Sequence, residues 1–107
     1  MIYFLNTAIL PNTGAYSYRE ISLNEALKIW NNTDYDKRVS AIGHPDTVRV
    51  LKELGFDIEY NRIEVKMEQD DKAIVFKLNK RLQEGQVLTA DEIKEIGFFF
   101  GLLIREL

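Results

Sequence analysis

Short apolar runs of β-forming residues alternate along this chain with segments that begin in helix-capping sequences. Residues 2–5 and 38–42 have the composition of buried strands. Residues 22–25 and 89–92 have the spacing of capping boxes, in which the first hydroxyl accepts from the fourth residue's amide and the Glu reaches back. Pro45 suits the first turn of a further helix. The alternation predicts strands and helices layered against each other.

The second half of the chain adds a predicted hairpin. Ile63, Val65 and Met67 alternate with charged residues over 62–67, which predicts a strand with one buried face. Residues 73–78 form another apolar run after a polar turn, so the two strands are expected to pair.

The final segment, residues 97–107, fits either a strand or a helix by the spacing of its apolar residues. Gly97 and Gly101 weaken a helix, so we favour a strand. Both faces are apolar, which predicts burial within the domain or at a dimer interface. The whole chain, residues 1–107, is thus predicted to be a single α/β domain with a mixed, roughly five-stranded sheet flanked by about three helices.

Composition excludes several kinds of site. The 107 residues include no cysteine and one histidine, which excludes thiol chemistry, zinc–thiolate sites and a multi-histidine metal site within one chain. We therefore expect no metal and no cofactor. No apolar run approaches the ~20 residues of a membrane span, and the start lacks signal-peptide features, so a cytoplasmic protein without membrane contact is expected. The formal charge of −3 argues against binding to long duplex nucleic acid.

His44 is the most informative candidate residue, because it follows a predicted strand and precedes a predicted helix. Ligands of α/β folds bind at strand carboxyl ends, and helix amino termini attract phosphate. A histidine there can exchange a proton near neutral pH, although an ordinary surface or capping histidine is the commoner outcome.

Other candidates surround the same predicted strand ends. Arg81 and Glu84 have a spacing that allows an ion pair on one helical face, and an arginine held in this way can grip a phosphate. The commoner alternative is a solvated surface pair. Lys77 and Lys80 extend this local positive charge, and Asn12 offers donors and acceptors in the loop after the first strand.

Four stretches taken together resemble the small dimeric ring nucleases of archaeal viruses and phages, the type III anti-CRISPR family that degrades cyclic tetra-adenylate. Related copies of this family occur in bacterial chromosomes and mobile elements. The resemblance covers nearly the whole chain in the same order, and its most specific part is SAIGH. The stretches are LNTAILP (5–11), SAIGH (40–44), AIVFKL (73–78) continuing into RLQEG (81–85), and IGFFFGLL (96–103).

The resemblance implies a homodimer that binds one cyclic tetra-adenylate ring across its two-fold axis. It implies that His44 acts as general acid and that Arg81 and Glu84 complete the catalytic set. Lys77 departs from the expected pattern, because a glutamine is expected there. Asp46, in the first turn of the predicted helix, places an acidic group near a phosphate, which is unfavourable. The residues expected to bind substrate are Asn6, Thr7, Asn12, Arg62 and Lys77.

The implied reaction needs no metal. The ribose 2′-hydroxyl attacks the adjacent phosphate, a 2′,3′-cyclic phosphate forms, and His44 protonates the departing 5′-oxygen. Arg81 would stabilise the negative charge, with Glu84 orienting it. Two other interpretations stay open: a module that binds a cyclic oligonucleotide or another nucleotide without cutting it, and a structural or regulatory protein of a mobile element.

Overall fold

The computed structural model describes residues 1–6, 13–80, 85 and 87–107. Five strands and three α-helices make up this part of the chain, and a short 3-10 turn, Tyr35–Lys37, precedes the third strand. The strands are β1 (Ile2–Leu5), β2 (Tyr16–Ile21), β3 (Arg38–Ser40), β4 (Lys72–Leu78) and β5 (Phe98–Arg105). The helices are α1 (Leu23–Asn31), α2 (Pro45–Glu53) and α3 (Ala90–Ile96). The predicted α/β class is confirmed.

The strands form one mixed sheet in the order β2-β5-β4-β1-β3. Strand β1 runs parallel to β3 on one side and to β4 on the other. Strand β5 runs antiparallel to both β4 and β2. The strand prediction for the final segment is therefore confirmed, and the carboxyl ends of β1, β3 and β4 meet at the same edge of the sheet.

The larger core lies between one face of the sheet and the helices. At its centre is Phe4, which is fully buried and meets the rings of Trp30 and Phe56 edge-on at centroid distances of 5.1 Å each. Phe100 lies 6.5 Å away on the other side of the same cluster. Edge-to-face aromatic pairs add specific geometry to the area they bury, so this cluster fixes how β1 sits under α1.

The opposite face of the sheet carries a smaller core. Its buried members come from β1, β4, β5 and the segment before β4, and they are Leu5, Val65, Met67, Ala73, Val75 and Leu103. Strand β5 therefore contributes apolar residues to both cores, which explains why its sequence is apolar on both faces.

The predicted hairpin between residues 62–67 and 73–78 is wrong. The first of these segments forms no strand, and β4 already has β1 and β5 as its two neighbours. The chain before it runs beside β3 instead, where the Asn61 amide donates to the Ile42 carbonyl at 3.0 Å. Val65 and Met67 are buried as expected, whereas Ile63 is 44% exposed. The alternation thus reflects a segment that covers the second face of the sheet.

The helix starts follow the capping sequences in most respects. At α3 the box is complete, because Thr89 Oγ1 accepts from the Glu92 amide and the Glu92 carboxylate accepts from the Thr89 amide, both at 3.2 Å. At α1 the Ser22 hydroxyl accepts from the Glu25 amide, but the predicted return contact is absent. The Glu25 carboxylate accepts from Arg19 at 2.7 Å instead, since β2 holds that guanidinium within reach.

Candidate functional site

The parallel strands bring the first set of predicted site residues to one edge of the sheet. Asn6 follows β1, and His44 ends the loop that follows β3. The Ala41 amide donates to the Phe4 carbonyl at 3.0 Å, which keeps the ends of these two strands level. Ligands of α/β sheets bind at such carboxyl ends, so this edge is the candidate site.

His44 lies at the amino terminus of α2 with an exposed side chain. Its backbone is extended, and its carbonyl accepts from the Val48 amide at 3.2 Å, which closes the first turn. The imidazole makes no capping hydrogen bond. A capping histidine, one of the alternatives raised by the sequence, is therefore not what this side chain is. Among the described residues its ring nitrogens have no hydrogen-bond partner, so they are available to a ligand at this edge.

The loop before His44 is fixed by the core on one side and by Asn61 on the other. Ile42 is fully buried in the larger core, and its amide donates to the Ser40 hydroxyl at 3.3 Å. Asn61 holds the outer side, because its side-chain amide donates to the Ser40 carbonyl at 2.8 Å. With these contacts the backbone that leads to the imidazole is fixed on both sides.

Arg62 lies directly beside this loop. A β-carbon placed on Gly43 would stand 2.9 Å from Arg62 Cγ and 3.2 Å from its Cβ, so the arginine side chain packs on the glycine backbone. Arg62 as a whole is an exposed residue. The sequence predicts Arg62 in the site as part of a hairpin strand. The structure brings it against Gly43 instead because residues 59–61 run beside β3.

Lys77 reaches the candidate edge from the second face of the sheet. Leu5 pairs with Val75, so Lys77 lies two residues further along β4, toward its carboxyl end. Its ammonium lies 5.8 Å from the centroid of the Phe99 ring. An ammonium in this position is attracted to the ring face and stays exposed to solvent. Arg62 beside Gly43 and Lys77 at the end of β4 are therefore two predicted cations near this edge.

Asp46 follows His44 by two residues and is engaged on both carboxylate oxygens. Oδ1 accepts from Arg49 Nη2, one turn later on α2, and Oδ2 accepts from the Gly85 amide at 3.1 Å. The predicted catalytic residues Arg81 and Glu84 and the predicted substrate-binding residues Thr7 and Asn12 lie outside the described residues.

The one resolved pKa shift among the described residues lies away from this edge. Burial raises the pKa of Tyr3, and the nearby carboxylates of Asp71 and Glu68 raise it further. Within the same described ranges no three histidine, aspartate or glutamate side chains are grouped as metal ligands would be. None of the described helices is long and apolar enough to cross a bilayer.

Sequence reasoning missed two residues that shape the site. Gly43 gives Arg62 its place, and the signal was a residue without a side chain directly before the candidate histidine. Asn61 fixes the loop from outside β3, and its neighbours in sequence gave no indication of that role.

Comparison with known proteins gives relatives that match the chain over most of its length. It is 34% identical to uncharacterized protein 26 of Sulfolobus islandicus filamentous virus over 105 residues, covering 92% of this chain and 86% of that protein. It is 39% identical to uncharacterized protein ORF117 of Acidianus two-tailed virus over 105 residues, covering 92% and 87%. It is 37% identical to uncharacterized protein YddF of Bacillus subtilis over 106 residues, covering 97% and 96%.

The fold also matches a solved structure, B116 of Sulfolobus turreted icosahedral virus, with a TM-score of 0.78. The match covers 97% of this chain and 98% of that one at 24% identity, so it supports the fold alone. At the level of sequence families, the STIV B116-like family matches residues 2–100. With nearly the full length matched and relatives in archaeal viruses and a bacterium, this chain belongs to the STIV B116-like family.

Proposed function

We propose that this protein is a metal-independent ring nuclease that cleaves cyclic tetra-adenylate to linear products with 2′,3′-cyclic phosphate ends. In a cell this reaction would switch off type III CRISPR signalling. The observation that carries the proposal is the exposed imidazole of His44 at the start of α2, with Arg62 packed on the glycine that precedes it.

The reaction takes its nucleophile from the substrate. The ribose 2′-oxygen forms a bond to the adjacent phosphorus as its proton leaves to solvent, and the bond from phosphorus to the 5′-oxygen breaks. His44, as imidazolium, donates a proton to that 5′-oxygen. General-acid help of this kind typically contributes roughly 10²–10⁴-fold to a rate. Neither the attack of the 2′-oxygen nor the protonation of the 5′-oxygen requires a Lewis acid, so the proposed reaction needs no metal.

Positive charge at the edge supports the binding of phosphate. The first turn of α2 presents the amides of Asp46 and Thr47, which precede the first amide used within the helix, that of Val48. Such amides and the helix dipole favour an anion. Arg62 adds a full charge beside the same loop. In the proposed mechanism Arg81, oriented by Glu84, stabilises the pentavalent phosphorus; these two roles come from the family resemblance.

A second copy of the chain completes the proposed site. A single domain of 12.5 kDa is small for a protein that has to enclose four nucleotides. Two copies related by a two-fold axis would present two imidazoles to one ring. We expect a particle of twice the chain mass by light scattering; a monomer that cleaves the ring at full rate would contradict this arrangement.

The direct test incubates the protein with radiolabelled cyclic tetra-adenylate in excess chelator, under single-turnover conditions. Wild type should give linear products, and His44→Ala should be roughly 10²–10⁴-fold slower while it still binds the ring. Lys37→Ala, an exposed change next to β3 and away from the edge, is the matched control. Cleavage by His44→Ala at the wild-type rate would remove His44 from the mechanism. A ring that is bound but left intact by wild type would instead identify a binding module.

A further inference from the structure

Asp46 joins two parts of the chain that lie 39 residues apart. Its carboxylate accepts the Gly85 amide on Oδ2 while Oδ1 accepts Arg49, and its side chain is only 19% exposed. Two different donors on two different oxygens fix the carboxylate in both position and rotation. Hydrogen bonds to an ionised acceptor are about twice as strong as neutral ones.

The contact matters because of where Gly85 lies in the sequence. Gly85 directly follows Glu84, and its backbone has a φ of +77°, a conformation that side chains disfavour. A β-carbon at this position would meet nothing within 4 Å of it among the described residues. The described contact that holds the Gly85 peptide is the carboxylate on the first turn of α2, two residues from His44.

The acidic charge itself is accommodated where it lies. Asp46 is in the first turn of α2, where the helix dipole favours a carboxylate. Arg49, an i,i+3 partner, balances the charge from the next turn. The penalty expected for an acidic group near a bound phosphate is therefore reduced, because both oxygens already have partners.

We propose that Asp46 is a positioning residue. It holds the Gly85 peptide, which follows Glu84, against the helix turn that presents His44, and so sets the distance between His44 and the proposed catalytic pair Arg81 and Glu84. This inference rests on the proposed function. Asp46 itself exchanges no proton with the substrate. Errors of about 1 Å in the placement of catalytic groups can cost roughly 10²-fold in rate.

Three variants separate the tether from the charge. Asp46→Ala removes the acceptor, Asp46→Asn keeps an acceptor oxygen for Gly85 without the charge, and Arg49→Ala keeps the carboxylate without its ion pair. We expect single-turnover cleavage to fall roughly 10- to 100-fold in Asp46→Ala with ring affinity within about 3-fold of wild type. Asp46→Asn and Arg49→Ala should both stay within about 3-fold of the wild-type rate.

A second readout does not depend on cleavage. The Gly85 amide, followed by ¹⁵N–¹H NMR, should exchange with solvent faster and shift in Asp46→Ala, but not in Arg49→Ala. Unchanged Gly85 exchange in Asp46→Ala would overturn the tether, even if wild type proves unable to cut the ring and the proposed function fails. Equal losses of rate in Asp46→Ala and Arg49→Ala, or a wild-type rate in Asp46→Ala, would overturn the positioning role.

Discussion

The side chain of Arg62 rests on the backbone of Gly43, with its Cγ only 2.9 Å from where a β-carbon at position 43 would stand. Glycine is thus needed here for close approach, since no unusual backbone angle is involved. The contact places a flexible cation next to the loop that ends in His44. Any side chain at position 43 has to displace that cation.

Gly43→Ala is therefore expected to weaken ring binding more than it weakens the fold. Arg62 is exposed, so its side chain can move to another rotamer. The free energy of unfolding should therefore fall by only about 1 kcal/mol. Ring affinity, measured by calorimetry on a His44→Ala background, should fall roughly 10-fold as a phosphate contact is lost. In a double-mutant cycle with Arg62→Ala the two losses should not add; additive losses would show that Gly43 acts independently of Arg62.

Gly101→Ala should destabilise the sheet through Tyr18. A β-carbon at position 101 would lie 2.1 Å from the Tyr18 hydroxyl oxygen and 2.3 Å from its Cζ, so the tyrosine must leave the face of β5. Overpacking of this kind costs about 1–3 kcal/mol, measured by urea unfolding. Tyr18→Ser in the same chain should recover much of the loss. Equal destabilisation by Gly101→Ala with and without Tyr18→Ser would exclude the ring as the cause.

Thr89→Ala should lower stability by about 1 kcal/mol, because it removes the hydroxyl that accepts the Glu92 amide at the start of α3. Thr89→Ser keeps the hydroxyl and is the matched control. Denaturant midpoints of the two variants should differ while their slopes agree. If the two midpoints coincide, the cap contributes nothing measurable.

The protein should lose stability in alkaline solution partly through Tyr3. Its pKa lies above the ordinary value of 10.0 because the phenol is partly buried and lies near the carboxylates of Asp71 and Glu68. In the unfolded chain the phenol ionises first, so the unfolded state binds fewer protons and stability falls as the pH rises above about 10. Tyr3→Phe should match wild type at pH 8 and decline less between pH 10 and 11.5. Parallel curves for the two proteins would contradict this assignment.

Features that depend on nearby residues could be predicted from the sequence. The hydroxyls of Ser22 and Thr89 mark where α1 and α3 begin, and Pro45 marks the start of α2, because a helix start is decided within one turn. The position of Asn6 after β1 and of His44 just before α2 also follows from local pattern, whereas the parallel pairing that brings both to one edge does not.

Features that depend on distant pairing could not be predicted. The alternation of Val65 and Met67 shows that one side of their segment is buried, but it does not identify the partner. The pattern would look the same in a hairpin with β4 and in a cover over the second face. The contact of Arg62 with Gly43 depends on the same choice, because residues 59–61 must first run beside β3.

Strand β5 lies between β2 and β4, and residues far apart in the chain meet on it. During synthesis, β2 leaves the ribosome some eighty residues ahead of the only described strand that pairs with it. Until residues 98–105 emerge, β2 and β4 cannot be joined through β5. The apolar surface that β5 covers in the folded sheet then stays exposed to chaperones. A nascent chain stalled before β5 should accordingly be far more sensitive to protease than one stalled beyond it.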